Sequence, residues 1–321
     1  MLCVIMVGKG AESIKKKFKK KLLAIVVVLL LSLVAWLLDA VPTSTKVELP
    51  EGSYLRVDYV DVGQADFIVV ECDGVFMTID GGNVEDSQLV YSYLQERGIK
   101  KVETVVITHA HEDHCGGVSA ILKAVTAETV YCPVTEYDTK AFRNVVSAAR
   151  TQGLEITVPV VGEIFTVGSA QVQVIGPVKS YDNTNDTSIV LRLTYGERTF
   201  LFTGDAETAS EYDIMDAGFD VSADVLKVGH HGSSTSTSYV WLKAVAPTYA
   251  IISSNRTEEP DYNHPHEEVV SRLRDEDAIV YRTDLQGTIT CITDGRDIAF
   301  TVTRNPDADT LFDAGEGGNH K

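Results

Sequence analysis

The sequence predicts a layered α/β domain of the αββα type over residues 54–303, with two sheets face to face and helices outside. Three observations point there. Runs of β-type and helix-type pattern alternate along the whole span, which implies helices packed on sheets. Both halves are rich in short strands interrupted by helices, which suits a sandwich better than one doubly wound sheet. The length, 321 residues, buries an ample core in one large domain or two small ones.

In chain order, Leu55–Val60, Phe67–Glu71 and Val75–Ile79 read as strands, punctuated by Gly63, Asp73-Gly74 and Gly81-Gly82. Leu89–Arg97 reads as an amphipathic helix ended by Gly98. Val102–Thr108 is a buried strand, Val118–Ala124 a helix, Thr129–Tyr131 a short strand, and Lys140–Gln152 a helix ended by Gly153. Glu163–Val167, Val172–Ile175, Ser188–Tyr195 and Arg198–Thr203 are strands joined by hairpin turns, and Ala206–Met215 is helical. Val225–Val228, Tyr249–Ile252 and Ala278–Tyr281 are buried strands, with the helix Glu267–Arg274 between the last two. Thr288–Ile292 and Ile298–Val302 close the domain as a hairpin around Asp294-Gly295. The acidic, Gly-rich tail 304–321 is expected to be disordered.

Ahead of this domain the chain changes character. Residues 1–21 end in a block of six lysines between Lys15 and Lys21, and Leu22–Leu38 follows without a charge. That run approaches the ~20 apolar residues that span a bilayer, and Trp36 suits its outer interface. The lysines predict a cytoplasmic N-terminus, hence a single-pass cell-membrane protein with an extracytoplasmic domain. A cleaved signal peptide fits less well, because the run is long and Leu38-Asp39-Ala40 is a poor cleavage site. Residues 39–53 form a linker with Pro42 and Pro50.

Residues 1–45 hold seven Lys and two acidic residues, leaving 21 basic and 44 acidic residues in 46–321, a balance of −23. Such a surface repels polyanions, so no stable nucleic-acid binding is expected. Cys72, Cys115, Cys132 and Cys291 form no CxxC pair, which argues against a zinc ribbon or a thioredoxin-type site, and buried free thiols are expected.

The strongest chemical signal is His109-Ala110-His111-Glu112-Asp113-His114, directly after a strand and before Gly116-Gly117 and a helix. Imidazole nitrogen and carboxylate oxygen are the ligands that borderline divalent metals take. His109 and His111, two apart, can point to one metal; Asp113 and His114, round the turn, can hold a second. Asp205 ends the apolar strand TFLFTGD, where a bridging carboxylate explains a poorly solvated Asp. DVLKVGHHGS carries His230 and His231 at another strand end. Sheet strands can deliver these ends to one edge.

This set resembles the metallo-β-lactamase superfamily, whose loop motif is HxHxDH. Within it the chain most resembles the hydrolase domain of the DNA-uptake competence protein ComEC and its relatives; secreted phosphorylcholine esterases of cell-wall metabolism are similar too. The segments that carry the resemblance are Asp61-Val62-Gly63-Gln64-Ala65-Asp66, Ile79-Asp80-Gly81-Gly82, the His109–Gly117 loop, Asn185-Asp186-Thr187-Ser188, Phe202–Asp205, Leu226–Ser233 and Asn263-His264-Pro265. The chain departs from the branch at Ala65 and Phe67, where Gly and Ser are usual. It also has no isolated His between 115 and 229, where many members place the third ligand of the first metal. Asp186 or Asn185 is the expected stand-in, which points to a metal other than zinc at that site. The multi-span channel region of ComEC is missing, so DNA transport by this chain alone is not expected.

The resemblance implies two divalent ions, Zn or Mn, and a metal-activated hydroxide as nucleophile. His109 and His111 would bind one ion, Asp113 and His114 the other, with Asp205 bridging. His230 is favoured to complete one ion; His231 is the alternative ligand, or a catalytic or outer group. Asp113 can also orient the water, and His264 would protonate a leaving group or grip a phosphate. Asp80 is expected to order the ligand loop through hydrogen bonds, with Asn185 also behind the ligands. Asp61 and Asp66 read as structural, and Ser233 to Ser238 as a flexible loop. The resemblance implies phosphodiester hydrolysis of a wall polymer or of DNA, the latter as a ComEC-like nuclease linked to uptake. β-Lactam hydrolysis is a weaker third. A non-catalytic, wall-associated binding protein with a degenerate site is the competing class.

Overall fold

The computed structural model describes residues 52–255 and 263–311. The predicted anchor 22–38, its lysine block and nearly all of the linker lie outside these residues. Among the described residues no helix is long and apolar enough to cross a membrane.

Fifteen strands form two sheets among the described residues. They are β1 (Leu55–Tyr59), β2 (Phe67–Cys72), β3 (Val75–Asp80), β4 (Lys101–Val106), β5 (Thr126–Tyr131), β6 (Ile156–Thr157), β7 (Ile164–Val167), β8 (Ala170–Gly176), β9 (Val190–Tyr195), β10 (Arg198–Phe202), β11 (Val225–Lys227), β12 (Tyr249–Ile252), β13 (Ile279–Arg282), β14 (Ile289–Thr293) and β15 (Ile298–Val302). The first sheet runs β15-β14-β1-β2-β3-β4-β5-β6 and the second β13-β12-β11-β10-β9-β8-β7. In each, an antiparallel half passes into a parallel half: β3 to β6 pair parallel, as do β10 to β13.

The helices are α1 (Ser87–Glu96), α2 (Glu112–Cys115), α3 (Val118–Ala124), α4 (Lys140–Thr151), α5 (Thr208–Asp216), α6 (Tyr239–Val245), α7 (Glu267–Asp275) and α8 (Thr283–Gln286). The four-layer αββα prediction holds. Strand alternation shows why. In β2, Ile68 and Val70 enter the core between the sheets, while Phe67 and Val69 face the core under α1, α3 and α4. In β10, Phe200 and Phe202 join the central core and Leu201 packs toward α5 and α6. A strand buried on both faces reads as the continuous apolar run seen in the sequence.

Two expectations change. The tail is placed as far as Leu311, not disordered from 304. Arg304 pairs with Asp61 at 3.0 Å, Thr310 Oγ1 donates to the Val280 carbonyl at 2.8 Å, and Arg274 donates to the Leu311 carbonyl at 2.6 Å. The stretch Ser233 to Ser238 is pinned rather than loose. Thr237 Oγ1 accepts from Gly229 N at 3.0 Å, and the buried Glu211 carboxylate accepts from the Thr237 and Ser238 amides. The four cysteines among the described residues are buried and free, as expected.

Candidate metal centre

The ligand loop leaves β4 and is sewn to the turn after β3. Gly81 N donates to the His114 carbonyl at 2.8 Å, Gly117 N to Gly82 O at 3.0 Å, and Asp66 N to Asp113 O at 3.1 Å. The approach is so close that a Cβ on Gly117 would lie 1.9 Å from Gly81 O, which is backbone and cannot swing away. Gly117→Ala is therefore expected to destabilise the fold by about 3 kcal/mol and to displace the loop. Chemical denaturation with metal content measured in parallel checks this; an unchanged midpoint would contradict the crossing.

Each buried imidazole is gripped by its outer nitrogen. His114 Nδ1 lies 2.8 Å from Asp80 Oδ2, and the other Asp80 oxygen accepts from Thr108 N at 2.7 Å. Thr108 Oγ1 donates to Asp80 at 2.7 Å, which leaves it to accept from His109 Nδ1 at 3.2 Å. His231 Nδ1 donates to the Ser253 carbonyl at 3.0 Å. His230 Nδ1 sits 3.3 Å from Glu207 Oε1 and 3.2 Å from Thr235 Oγ1. An outer acceptor fixes the hydrogen on Nδ1 and turns the Nε2 lone pair inward, as in metal-bound imidazoles.

The inner nitrogens converge on Asp205, whose two oxygens face two poles. On one side, Oδ1 lies 3.3 Å from His114 Nε2 and 3.7 Å from His231 Nε2. Asp113 Oδ2 completes this pole, 3.7 Å from His114 Nε2 and 3.3 Å from His231 Nε2. Ligands at about 2.1 Å round a tetrahedral ion are roughly 3.4 Å apart, so one divalent ion fits among these four groups. On the other side, Asp205 Oδ2 lies 3.8 Å from His109 Nε2 and 3.7 Å from His230 Nε2, and His111 Nδ1 is 3.0 Å from His109 Nε2. His114 Nε2, His231 Nε2 and Asp205 Oδ1 are buried without a hydrogen-bond partner. Three orphaned acceptors aimed at one point are costly unless a cation joins them, so the residues fit the implied metals.

Electrostatics agree. Burial alone would push His114 down, but the Asp205, Asp113 and Asp80 carboxylates outweigh it and hold it well above the usual histidine range. His231 is likewise raised, by Asp205 and Asp113 against burial. Burial opposes ionisation of Asp205 and Asp113, yet the His114 and His231 charges keep both low. His109 is pushed well below its usual range by burial and by His114. A cation entering this inner pole, that of His114, His231 and Asp113, would take the place of the positive charge that the carboxylates favour on the two imidazoles. Metal affinity is expected to rise with pH wherever those imidazoles release protons on binding, about tenfold per pH unit for each proton released. Calorimetric titration in buffers of different ionisation heat counts these protons; no release would refute the assignment.

The metallo-beta-lactamase superfamily pattern matches residues 60–254, more than half of the chain. The chain belongs to the metallo-β-lactamase superfamily. Within it, the chain is similar to ComE operon protein 3 of Bacillus subtilis, at 30% identity over 253 residues, covering 73% of this chain and 32% of that protein. It is similar to competence protein ComA of Neisseria gonorrhoeae, at 30% identity over 231 residues, covering 71% of this chain and 31% of that protein. The chain thus spans about a third of the length of these relatives. Among solved structures it shares a fold with Igni18, titled a novel metallo hydrolase from Ignicoccus hospitalis, at TM-score 0.51 and 17% identity, covering 74% of this chain and 98% of that one.

For a metallo-β-lactamase superfamily chain, the site departs from the sequence reading in two places. His231, not only His230, faces the centre. Both residues have left-handed backbone (φ 49 and 54), which splays their side chains to opposite poles of Asp205. His231 is thereby placed among the ligands rather than beside a substrate. Asp186 does not stand in for the missing ligand: its Oδ1 accepts from the Glu207 and Ser210 amides at 3.1 and 3.2 Å, capping the start of α5. Asn185 donates to Glu207 at 3.0 Å, behind His230.

His264 is buried beside the poles, its ring 5.6 Å from that of His230, and burial with the neighbouring imidazoles pushes it down to about 3. A ring kept neutral by burial suits the second of its two expected roles, gripping an anion, better than the first. Several supporting groups went unread in the sequence. Ser188 accepts from Asp205 N at 3.1 Å, Glu207 and Thr235 hold His230, and a buried Lys227–Asp66 pair at 2.9 Å lies behind His231. Only the strand-end position of Ser188 and Lys227 could have signalled them.

Proposed function

We propose that this protein is a membrane-anchored, extracytoplasmic, metal-dependent phosphodiesterase with a binuclear centre. The observation that carries the hydrolase reading is the convergence of His114 Nε2, His231 Nε2 and both Asp205 oxygens, with His109 and His230 on the far side. Divalent ions held there supply Lewis acidity and bring a water's pKa toward neutrality. The chain's own residues do the rest. Asp205 spans both poles and fixes their separation. Asp113, 31% exposed, is the ligand carboxylate that can also accept a proton from water. His264 donates a hydrogen bond to an anionic oxygen.

Two things support phosphodiesters over other substrates: the neutral donor His264 beside the poles, and the similarity to a protein named for competence. DNA and a phosphodiester substituent of a wall polymer are the two substrate candidates. The balance of −23 over residues 46–321 disfavours stable nucleic-acid binding, so a DNA substrate would be held at the metal centre rather than along a basic track. The anchor reading is supported by the lysine block and the apolar run Leu22–Leu38.

The test is hydrolysis of bis-(p-nitrophenyl) phosphate by the full-length protein in detergent with Zn²⁺ or Mn²⁺, followed by DNA and phosphorylcholine esters. Metal-dependent turnover supports the phosphodiesterase, and the second step chooses the substrate. A folded, metal-loaded protein without turnover on any of the three would move the reading to the non-catalytic binding protein.

A further inference from the structure

The site's histidines divide into two classes once hydrogens are placed by partners of fixed polarity. A backbone carbonyl can only accept, and a backbone N–H can only donate. His231 Nδ1 faces the Ser253 carbonyl, so it carries the hydrogen and Nε2 the lone pair. His264 is the reverse. The Asn255 backbone N–H donates to Gln64 Oε1 at 3.1 Å, which settles which end of that amide is oxygen. Gln64 Nε2 therefore donates to His264 Nδ1, at 2.9 Å. His264 Nδ1 accepts, and its hydrogen sits on Nε2. His266 is fixed in the same sense, its Nδ1 accepting from Ser234 N at 2.9 Å.

We propose that Gln64 is a positioning residue that holds His264 as the Nε2–H tautomer, making it a neutral donor to an anionic substrate oxygen beside the metal poles. The ring is suitably placed, stacked at 22° and 6.4 Å from His231 as well as 5.6 Å from His230. Gln64 and His264 are both buried, so the contact is shielded from water that could substitute for it. The opposite tautomer would present a lone pair, which repels an anion and competes for the cation. One residue type thus serves as ligand or as donor according to which nitrogen its neighbour claims. Gln64 belongs to the Asp61–Asp66 motif. That the anion is a phosphoryl oxygen rests on the phosphodiesterase reading; the tautomer does not.

The test uses full-length, ¹⁵N-histidine-labelled protein in detergent, loaded with Zn²⁺, and long-range ¹H–¹⁵N spectra that separate protonated from lone-pair nitrogens. His264 is expected to show a lone pair on Nδ1 and a hydrogen on Nε2, with Nε2 shifting on addition of inorganic phosphate. Gln64→Glu, whose carboxylate can only accept, is expected to move the His264 Nδ1 signal to the protonated position. Gln64→Met is expected to weaken phosphate binding about tenfold while zinc stoichiometry stays the same. A hydrogen on His264 Nδ1 in the unaltered protein overturns the proposal. So does unchanged phosphate affinity in Gln64→Met with zinc retained. A protein that shows the tautomer and the phosphate shift yet cleaves no phosphodiester supports this inference and removes the activity proposed above.

Discussion

Asp205→Ala is expected to empty both metal poles and to lower any metal-dependent turnover by roughly 10³-fold or more. Losing an outer partner of a ligand typically costs only 10–100-fold, because the ligand itself remains. Asp205 is different: one oxygen faces His114 and His231 and the other faces His109 and His230. Its removal also takes away the largest of the carboxylate charges holding the proton on His114. Metal stoichiometry by elemental analysis is the direct check. Two retained equivalents would mean that Asp205 does not bridge.

The second large effect is an asymmetry between adjacent residues. His231→Ala is expected to cost about 10³-fold in turnover and most of the inner-pole metal, and His230→Ala about tenfold. His231 is buried and lies among four mutually close ligand groups, with Asp113, His114 and Asp205. His230 is 21% exposed, and its Nε2 approaches Asp205 at 3.7 Å. Metal content and turnover of the two variants, measured side by side, decide it. The reverse order would restore the assignment that the sequence favours.

The architecture was readable because its cause is local. Apolar runs such as FIVVEC and TFLFTGD can only be strands buried on both faces, and Val118–Ala124, Tyr249–Ile252 and Ile298–Val302 fall where the pattern puts them. Short helices were less visible. α2, with four residues, has too little sequence to show a period, and α6 follows a Ser/Thr stretch that reads as loop. The ligand set was legible for a chemical reason: three imidazoles and an Asp after a buried strand have few other uses. The division of labour was not. Which of two neighbouring histidines faces which pole depends on a left-handed turn, and neither residue is glycine to announce it. Asp186 was plausible as a ligand by type, yet its carboxylate is spent on two backbone amides that only the folded α5 presents. Tautomers are further still from the sequence, since they follow from partners such as Ser253 and Gln64 that are far from their histidines along the chain.

The turn at His230 and His231 has a consequence for how this centre can vary. Because one tight loop feeds both poles, its length is as constrained as its letters. Inserting or deleting a single residue there would misdirect two imidazoles together, so the two poles are tied in inheritance as well as in space. A lineage could weaken the outer pole, that of His109 and His230, by exchanging His111, which approaches that pole alone. It could not re-register the His230-His231 doublet to favour one ion without disturbing the other.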